Sequence, residues 1–262
     1  MTSIRKDAFQ PGPIGQTPAM KTAEHIETLD EEGRLLADAA ETAGTSAKVP
    51  TCPGWAVRDL LRHVGMVHRW AAAFVAEGYT SYHPDDGLPD LDGAELVAWF
   101  REGHGRLVGT LADARPDVEC WTFLPAPSPL AFWARRQAHE TTVHRVDAES
   151  ALAGTPGVIH AEFAVDGIEE LLLGFHARGR SKVRSDTPRL LRVRATDAGR
   201  SWTVRISQEP PVTERDGAGE ADCELSGPAA RLYLSLWNRL PFPSLTGDAS
   251  LAALWRERSG VT

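Results

Sequence analysis

The 262-residue sequence has no long apolar run, few cysteines, and no Lys/Arg block of the kind that releases counterions from nucleic acid. Because the formal net charge is also negative, at −8, we expect the protein to bind no polyanion such as nucleic acid. Without a run of about eighteen apolar residues or a signal-like N-terminus, we expect neither membrane insertion nor export. Three widely spaced cysteines, Cys52, Cys120 and Cys223, fit neither a disulfide framework nor a C-x-x-C zinc site, and favour a reducing cytoplasm.

The composition is that of a soluble globular protein, with 42% hydrophobic and 24% charged residues, and the length favours two domains. Residues 1–20 carry three prolines and two glycines without an apolar period, which predicts a flexible N-terminal arm. We expect a four-helix bundle over residues 21–153 and a smaller α+β domain over residues 154–262. Oligomeric state is left open.

Apolar spacing predicts four helices in the first region: residues 22–44, a helix from near Trp55, residues 92–114, and residues 129–153. In the second region a helix is expected over residues 161–179. The runs LLRVRATD and SWTVRIS, separated by AGR, predict a hairpin. DCELSG and PSLTGD are further strand candidates, and PAARLYLSLWNRL and ASLAALWRER are expected to be helices.

The stretch RRQAHETTVHRVDAE, residues 135–149, contains the residues best suited to chemistry. His139 and His144 are five residues apart, roughly 140° around a helix, which excludes the H-E-x-x-H geometry of a metalloprotease. Glu140 and His144 are four apart and share a face. With His63 from a neighbouring helix they could form a three-ligand zinc site with an open position. The structural alternatives are that Glu140 and His144 form only a contact on one helix face, and that His63 is an ordinary histidine of the core.

Two segments, CPGWAVRDLLRHVG and FWARRQAHETTVHRVDAE, resemble the mycothiol-dependent maleylpyruvate isomerase family, whose N-terminal bundle is DinB-like. Later segments, VDGIEELLLGF, ATDAGRSWTVRI and RLYLSLWNRL, resemble its C-terminal domain. The resemblance spans nearly the whole chain after the arm. It therefore implies an α+β protein with a DinB-like four-helix bundle followed by a smaller domain.

The resemblance implies that His63, Glu140 and His144 bind zinc, although another divalent metal would suit the ligands. The open position would take the thiol of mycothiol as a thiolate. In the family's reaction this thiolate adds to the double bond of maleylpyruvate, the bond rotates, and elimination gives fumarylpyruvate. Arg239 resembles an arginine that the family places near the active site, and a salt bridge is its structural alternative. Asp147, one turn beyond His144, is a candidate for orienting a ligand.

The expected function is mycothiol-dependent isomerisation or a related S-transfer to a small electrophile, whose identity the sequence does not give. Two alternatives remain at this point. One is a metal-dependent hydrolase using a zinc-bound water assisted by Glu140 or Asp147, and the other is a non-catalytic zinc-stabilised binding module. His139 is expected to face away from the metal.

Overall fold

The computed structural model describes residues 20–152, 154–217 and 219–261. Apart from Met20, the predicted N-terminal arm lies outside the described residues. In the described residues the chain forms seven α-helices and one five-stranded sheet, in the order of a helical region followed by a smaller α+β region. The predicted fold class is confirmed. The division at residues 153 and 154 stays a prediction, and Ala153 is not described.

Four long helices form the first region: α1 (Thr22–Ala43), α2 (Val57–Glu77), α3 (Gly93–Asp113) and α4 (Pro129–Ser150). Helices α1 and α2 each pack against both α3 and α4. Helix α4 is buried around most of its circumference, so it lies at the centre of the molecule rather than presenting one apolar stripe. Its start is fixed by Ser128, whose hydroxyl accepts a hydrogen bond from the Ala131 amide, and by Pro129 in the first turn.

The second region starts with α5 (Ala161–Glu169), which continues into a π-helical segment (Glu170–Phe175). The predicted helix over residues 161–179 is therefore shorter and less regular than expected. In the π-helical turn the amide of His176 donates to the carbonyl of Leu171, five residues earlier, at 3.0 Å. Such turns recur at functional sites in proteins, and this one contributes Phe175 to the wall of a large cavity.

The sheet contains β1 (Arg189–Ala195), β2 (Arg200–Ile206), β3 (Val212–Arg215), β4 (Cys223–Gly227) and β5 (Leu245–Gly247), in the order β3-β2-β1-β4-β5. Strands β1 and β2 form the expected antiparallel hairpin, with Leu191 opposite Val204. Strand β4 pairs in parallel with β1, and the other pairs are antiparallel.

Helices α6 (Ala229–Leu236) and α7 (Ala249–Arg258) complete the described fold. Both pack against β4, and α6 also contacts β1, so one face of the sheet is covered. The large buried core runs from this sheet into the helical region. Within the described ranges, every helix is too short or too polar to span a bilayer.

Candidate metal centre

Helices α2 and α4 bring three potential ligands together. His63 lies on α2, and Glu140 and His144 lie one turn apart on α4. The Glu140 Oε1 atom is 3.4 Å from His63 Nε2 and 3.2 Å from His144 Nε2, and one ligand atom from each residue lies within 4.8 Å of the others. The three side chains thus present two imidazole nitrogens and one carboxylate oxygen to a common point.

These spacings can be compared with those of a zinc ion. Ligand atoms at about 2.0–2.1 Å from a tetrahedral zinc are separated from one another by about 3.3 Å. The separations of Glu140 Oε1 from the two imidazole nitrogens, 3.2 and 3.4 Å, fall on either side of that value, and the two nitrogens lie within 4.8 Å of each other. The residues present therefore fit a divalent metal of zinc's size and ligand preference, with room for one further ligand.

A buried carboxylate orients His144. The Nδ1 atom of His144 lies 2.9 Å from Asp147 Oδ2, and Asp147 has no exposed side-chain surface. Arg239 donates to both oxygens of Asp147, from Nε at 2.9 Å and from Nη2 at 2.8 Å. This bidentate pair fixes the carboxylate, which in turn fixes the imidazole ring with Nε2 toward Glu140.

The position of Arg239 depends on how α6 ends. Asn238 has φ of +62°, a left-handed conformation that asparagine adopts more readily than most residues. The Arg239 amide donates to the Leu234 carbonyl at 2.8 Å, and its Nη1 donates to the Trp237 carbonyl at 2.8 Å. The predicted helix through Leu240 therefore stops at Leu236, and the turn brings the guanidinium to α4.

The other oxygen of Glu140 is held by Arg136, whose Nη2 donates to Oε2 at 3.1 Å. Arg136 also donates to Glu170, in the π-helical segment. Burial alone would raise the pKa of Glu140, but hydrogen bonds with His144 and His63 and the charge of Arg136 hold that pKa well below its usual value. Glu140 is therefore an ionised carboxylate with one oxygen occupied by an arginine.

The surroundings of the site raise the pKa of both His144 and Cys52, which favours a charged imidazolium and a neutral thiol. Burial opposes protonation of His144, but the carboxylates of Asp147 and Glu140 raise its pKa to about 9. Burial, together with the charge of Asp147, raises the pKa of Cys52 to about 12. The Cys52 sulfur also lies 3.7 Å from Arg239 Nη2. Cys52 is therefore a protonated thiol at neutral pH, unsuited to act as a nucleophile.

The three candidate ligands open onto a cavity of about 980 Å³. Its walls come from both regions of the chain. Aromatic residues form much of the lining, which includes Trp70, Tyr82, Trp121, Phe123, Phe175 and Trp237. A space of this size, with ionised groups at one end and aromatic walls, suits a small organic ligand or two.

A second His/Asp cluster lies apart from the residues lining this cavity. The Oδ2 atom of Asp166 lies 3.0 Å from His25 Nε2 and 2.9 Å from His139 Nε2, and it accepts a hydrogen bond from Arg135 Nε at 2.7 Å. His139 Nδ1 lies 3.2 Å from the hydroxyl of Tyr233. Because an arginine already occupies the carboxylate oxygen, the cluster is best described as a polar link between α1, α4, α5 and α6.

Residues 26–149 match the family model described as the mycothiol maleylpyruvate isomerase N-terminal domain, and residues 162–254 match the model of the C-terminal domain of the same family. The chain belongs to the mycothiol maleylpyruvate isomerase family. The resemblance found in the sequence is therefore confirmed.

Two solved structures share the fold of this family member. The crystal structure of the mycothiol-dependent maleylpyruvate isomerase is 13% identical, with a TM-score of 0.54, and the alignment covers 82% of this chain and 88% of that one. The crystal structure of a histidine-to-alanine mutant gives 12% identity and a TM-score of 0.56 at the same coverage. A search of curated proteins gives no significant match. At these identities the likeness establishes the fold alone.

The structure brings all five residues singled out in the sequence into one network, since Asp147 joins His144 to Arg239. Their roles stay predictions. Sequence reasoning missed Arg136, although its position four residues before Glu140 on the same helix was a usable signal. It also missed Glu170, Arg178 and Arg180, because no helical spacing relates them to the candidate ligands.

Proposed function

We propose that this family member is a metal-dependent enzyme that presents the thiol of mycothiol to a small electrophile. The observation that carries the proposal is the ligand triangle of His63, Glu140 and His144, whose spacing fits zinc and which opens onto a cavity. Family membership supports the choice of mycothiol as the thiol and of a maleylpyruvate-like compound as the electrophile.

Zinc bound at this site would lower the pKa of a coordinated thiol and keep it deprotonated at neutral pH. The chain's own residues prepare the site. Asp147 lies at the Nδ1 side of His144 and leaves Nε2 as the atom toward the cavity. The pKa of His144, raised to about 9, keeps a proton on Nε2 at neutral pH, and metal binding would displace it. Arg239 keeps Asp147 ionised and in place, and Arg136 occupies Oε2 of Glu140 so that Oε1 faces the two imidazoles.

An external thiol is needed because the chain supplies no activated one. Its three cysteines are free, and none is among the described residues lining the cavity. Cys52, whose sulfur contacts Arg239, is held as a neutral thiol by its raised pKa. A cosubstrate must therefore provide the sulfur nucleophile.

In the proposed reaction the thiolate sulfur forms a bond to one alkene carbon, and the electron pair of the π bond moves onto the conjugated carbonyl. The remaining carbon–carbon single bond rotates. The electron pair then returns, the carbon–sulfur bond breaks, and the trans alkene leaves with the thiolate regenerated. A related S-transfer would instead end with protonation of the adduct.

The hydrolase alternative is less well supported because it needs a free carboxylate base. Glu140 is engaged by Arg136 and two histidines, and Asp147 by His144 and by Nε and Nη2 of Arg239. Neither carboxylate can accept a proton from water without losing one of these partners. A non-catalytic binding module is less well supported because the family to which the chain belongs is named for an enzyme.

We also propose that the second region, from residue 154 onward, closes the cavity and positions the substrate. Phe175, Trp237 and Arg239 reach the cavity from that region. Free cysteines are consistent with a cytoplasmic location, which is likewise a proposal. The partners are then mycothiol and one small molecule.

Metal content tests the ligand set. The purified protein should hold about one zinc per chain by mass spectrometry of the metal, and His63→Ala and His144→Ala should each lose most of it. His160→Ala is the matched control, since His160 is an exposed histidine at the start of α5. Equal occupancy in the control and the ligand variants would reject this metal site.

Thiol dependence tests the reaction. Turnover of maleylpyruvate should require mycothiol, and the cobalt-substituted enzyme should gain a sulfur-to-metal charge-transfer band when mycothiol is added. Hydrolysis of ester or amide substrates without thiol would support the hydrolase instead. An unchanged cobalt spectrum, with no heat of mycothiol binding, would remove the thiol mechanism.

A further inference from the structure

Four arginines line the cavity: Arg136, Arg178, Arg180 and Arg239. Two of them have their charge balanced within the protein. Arg136 is paired with Glu170 and Glu140, and Arg239 is paired through two hydrogen bonds with Asp147. These two guanidinium groups are therefore paired with carboxylates of the chain. To bind a substrate anion, either would have to break those pairs.

Arg178 and Arg180 differ in this respect, because neither has a carboxylate partner in the part of the chain that the structure describes. Arg178 donates from Nη1 to the Phe123 carbonyl at 3.4 Å, a long contact. Its Nε is buried and has no hydrogen-bond partner among the described residues. Because Arg178 lines the cavity and lacks a charged acceptor, a bound anion would give its guanidinium a charge-assisted partner.

The two arginines belong to a short basic segment. Residues 178–184 carry four cationic side chains and no acidic one, in a chain with a net charge of −8. Burial first, and then the charge of Arg180, lowers the pKa of Arg178, which indicates that the two guanidinium groups repel each other. The segment therefore concentrates uncompensated positive charge at one wall of the cavity.

The backbone of this segment is held in place. The hydroxyl of Ser181 lies 3.0 Å from His176 Nδ1, and the Ser181 amide donates to the Arg178 carbonyl at 3.0 Å. Arg184 donates to the carbonyls of Val183 and Gly179 at 3.1 and 3.2 Å. An ordered segment loses less conformational entropy when it binds a ligand than a mobile one.

Aromatic rings lie beside the unpaired charge. The guanidinium carbon of Arg178 is 5.3 Å from the ring centre of Phe175 and 5.9 Å from that of Phe123. Trp121 and Trp237 line the same cavity. Flat apolar walls next to a cationic group suit a ligand with a planar, conjugated body and a carboxylate at one end.

We infer that Arg178 and Arg180 form a carboxylate-binding subsite that positions the electrophile in the cavity, with its conjugated body against the aromatic walls. The inference rests on the proposed function in one respect: the bound carboxylate belongs to the electrophile that the thiolate attacks. The subsite is distinct from Arg239, whose fork is engaged by Asp147. Arg178 and Arg180 are thus specificity determinants, and the ligand class is an unsaturated small carboxylate.

Binding of cinnamate and of its neutral amide, cinnamamide, tests the charge requirement without any turnover. These probes share a planar unsaturated body and differ in the anionic group. By calorimetry on the zinc-loaded protein, cinnamate should bind about tenfold or more tightly than cinnamamide. Arg178→Gln and Arg180→Gln should each remove most of that preference while leaving zinc content unchanged.

The matched control is Arg231→Gln, which removes an exposed arginine of α6 outside the cavity lining. It should keep the full preference for cinnamate. Equal affinities for acid and amide in the wild type, or no binding of either, would overturn the inference. So would a preference that survives in both variants, as expected if the carboxylate binds only the metal. Arg180 is exposed, so its substitution is a test even if the Arg178 variant folds poorly.

Kinetics connect the subsite to the proposed function. With maleylpyruvate as substrate, Arg178→Gln should raise KM by about tenfold with a much smaller change in kcat, because it removes binding rather than thiol activation. If no thiol-dependent turnover exists in the wild type, the proposed function fails, yet the cinnamate measurement still decides the subsite. A fall in kcat with KM unchanged would contradict the positioning role.

Discussion

His176 should make the stability of this protein fall in mild acid. Its ring is almost fully buried and lies with its centre 4.7 Å from that of Trp255. Nδ1 is 3.0 Å from the Ser181 hydroxyl, and Nε2 is buried without a partner among the described residues. Burial, together with the positive charges of Arg184 and Arg178, lowers the pKa of His176 from 6.5 to about 4.

The direction of the effect comes from linkage. In the unfolded chain His176 binds a proton as the pH falls through 6.5, whereas in the folded protein it stays neutral until about pH 4. The unfolded state therefore gains protons first, and the folded state loses relative stability as the pH falls between those two values. At about pH 5 the loss attributable to this one residue is about 2 kcal/mol.

The His176→Asn variant removes the titrating ring and keeps a polar atom near the position of Nδ1. Its smaller side chain leaves a gap beside Trp255, which lowers the free energy of unfolding by the same amount at every pH. This cost cancels when the stabilities of one protein at two pH values are subtracted. Urea unfolding at about pH 7.5 and about pH 5 should show the wild type losing about 2 kcal/mol more than the variant. His160→Asn is the control, because an exposed histidine should leave the wild-type pH dependence in place.

The opposite result would be informative. If the wild type and His176→Asn lose the same free energy of unfolding between the two pH values, His176 titrates normally in the folded protein. Burial and the charges of Arg184 and Arg178 would then have no net effect on the pKa of the ring. That outcome would also weaken the account of residues 178–184 as a region of uncompensated positive charge.

Two further predictions concern the support of the metal and the packing of α5. Asp147→Asn should weaken zinc binding by about 10- to 100-fold in chelator competition, because the amide cannot replace the carboxylate that orients His144; unchanged affinity would show that the ring needs no such support. Gly167→Ala should destabilise the fold by about 1–3 kcal/mol in thermal unfolding, since a Cβ there would lie 2.4 Å from the Tyr233 ring. Gly105→Ala, with nothing within 4 Å, is the control and should be neutral or stabilising; equal effects would refute the packing argument.

Helices α1, α2 and α3 were predictable because their apolar side chains recur at helical spacing. Helix α4 begins at Pro129, as predicted, and the hairpin of β1 and β2 agrees with the alternating apolar residues. Strand β3 (Val212–Arg215) was missed because it is an exposed edge strand without that alternation. The π-helical segment was missed for another reason: its apolar residues also suit an ordinary helix.

The site was predictable only in part. Glu140 and His144 are separated by one helical turn, so the sequence alone places them together. His63 is 77 residues away from Glu140, so no local spacing joins the two; it was a candidate as a histidine on a neighbouring helix, and the family resemblance implied the same residue. No sequence pattern indicates that Asp147 receives the fork of Arg239, because that contact depends on a left-handed residue at the end of α6.

The π-helical segment also bears on which length changes the family fold can accept. Its wider turn accommodates one more residue than an α-helical turn, as the bond from His176 to Leu171 shows. Removing a single residue from this turn would therefore restore a regular helix and leave the chain beyond it close to its present orientation. Removing a residue from α5 (Ala161–Glu169) has no such absorbing turn and would rotate the chain after it by about 100°. A one-residue deletion should thus disturb the cavity wall and the basic segment much less in the π-helical turn than in α5.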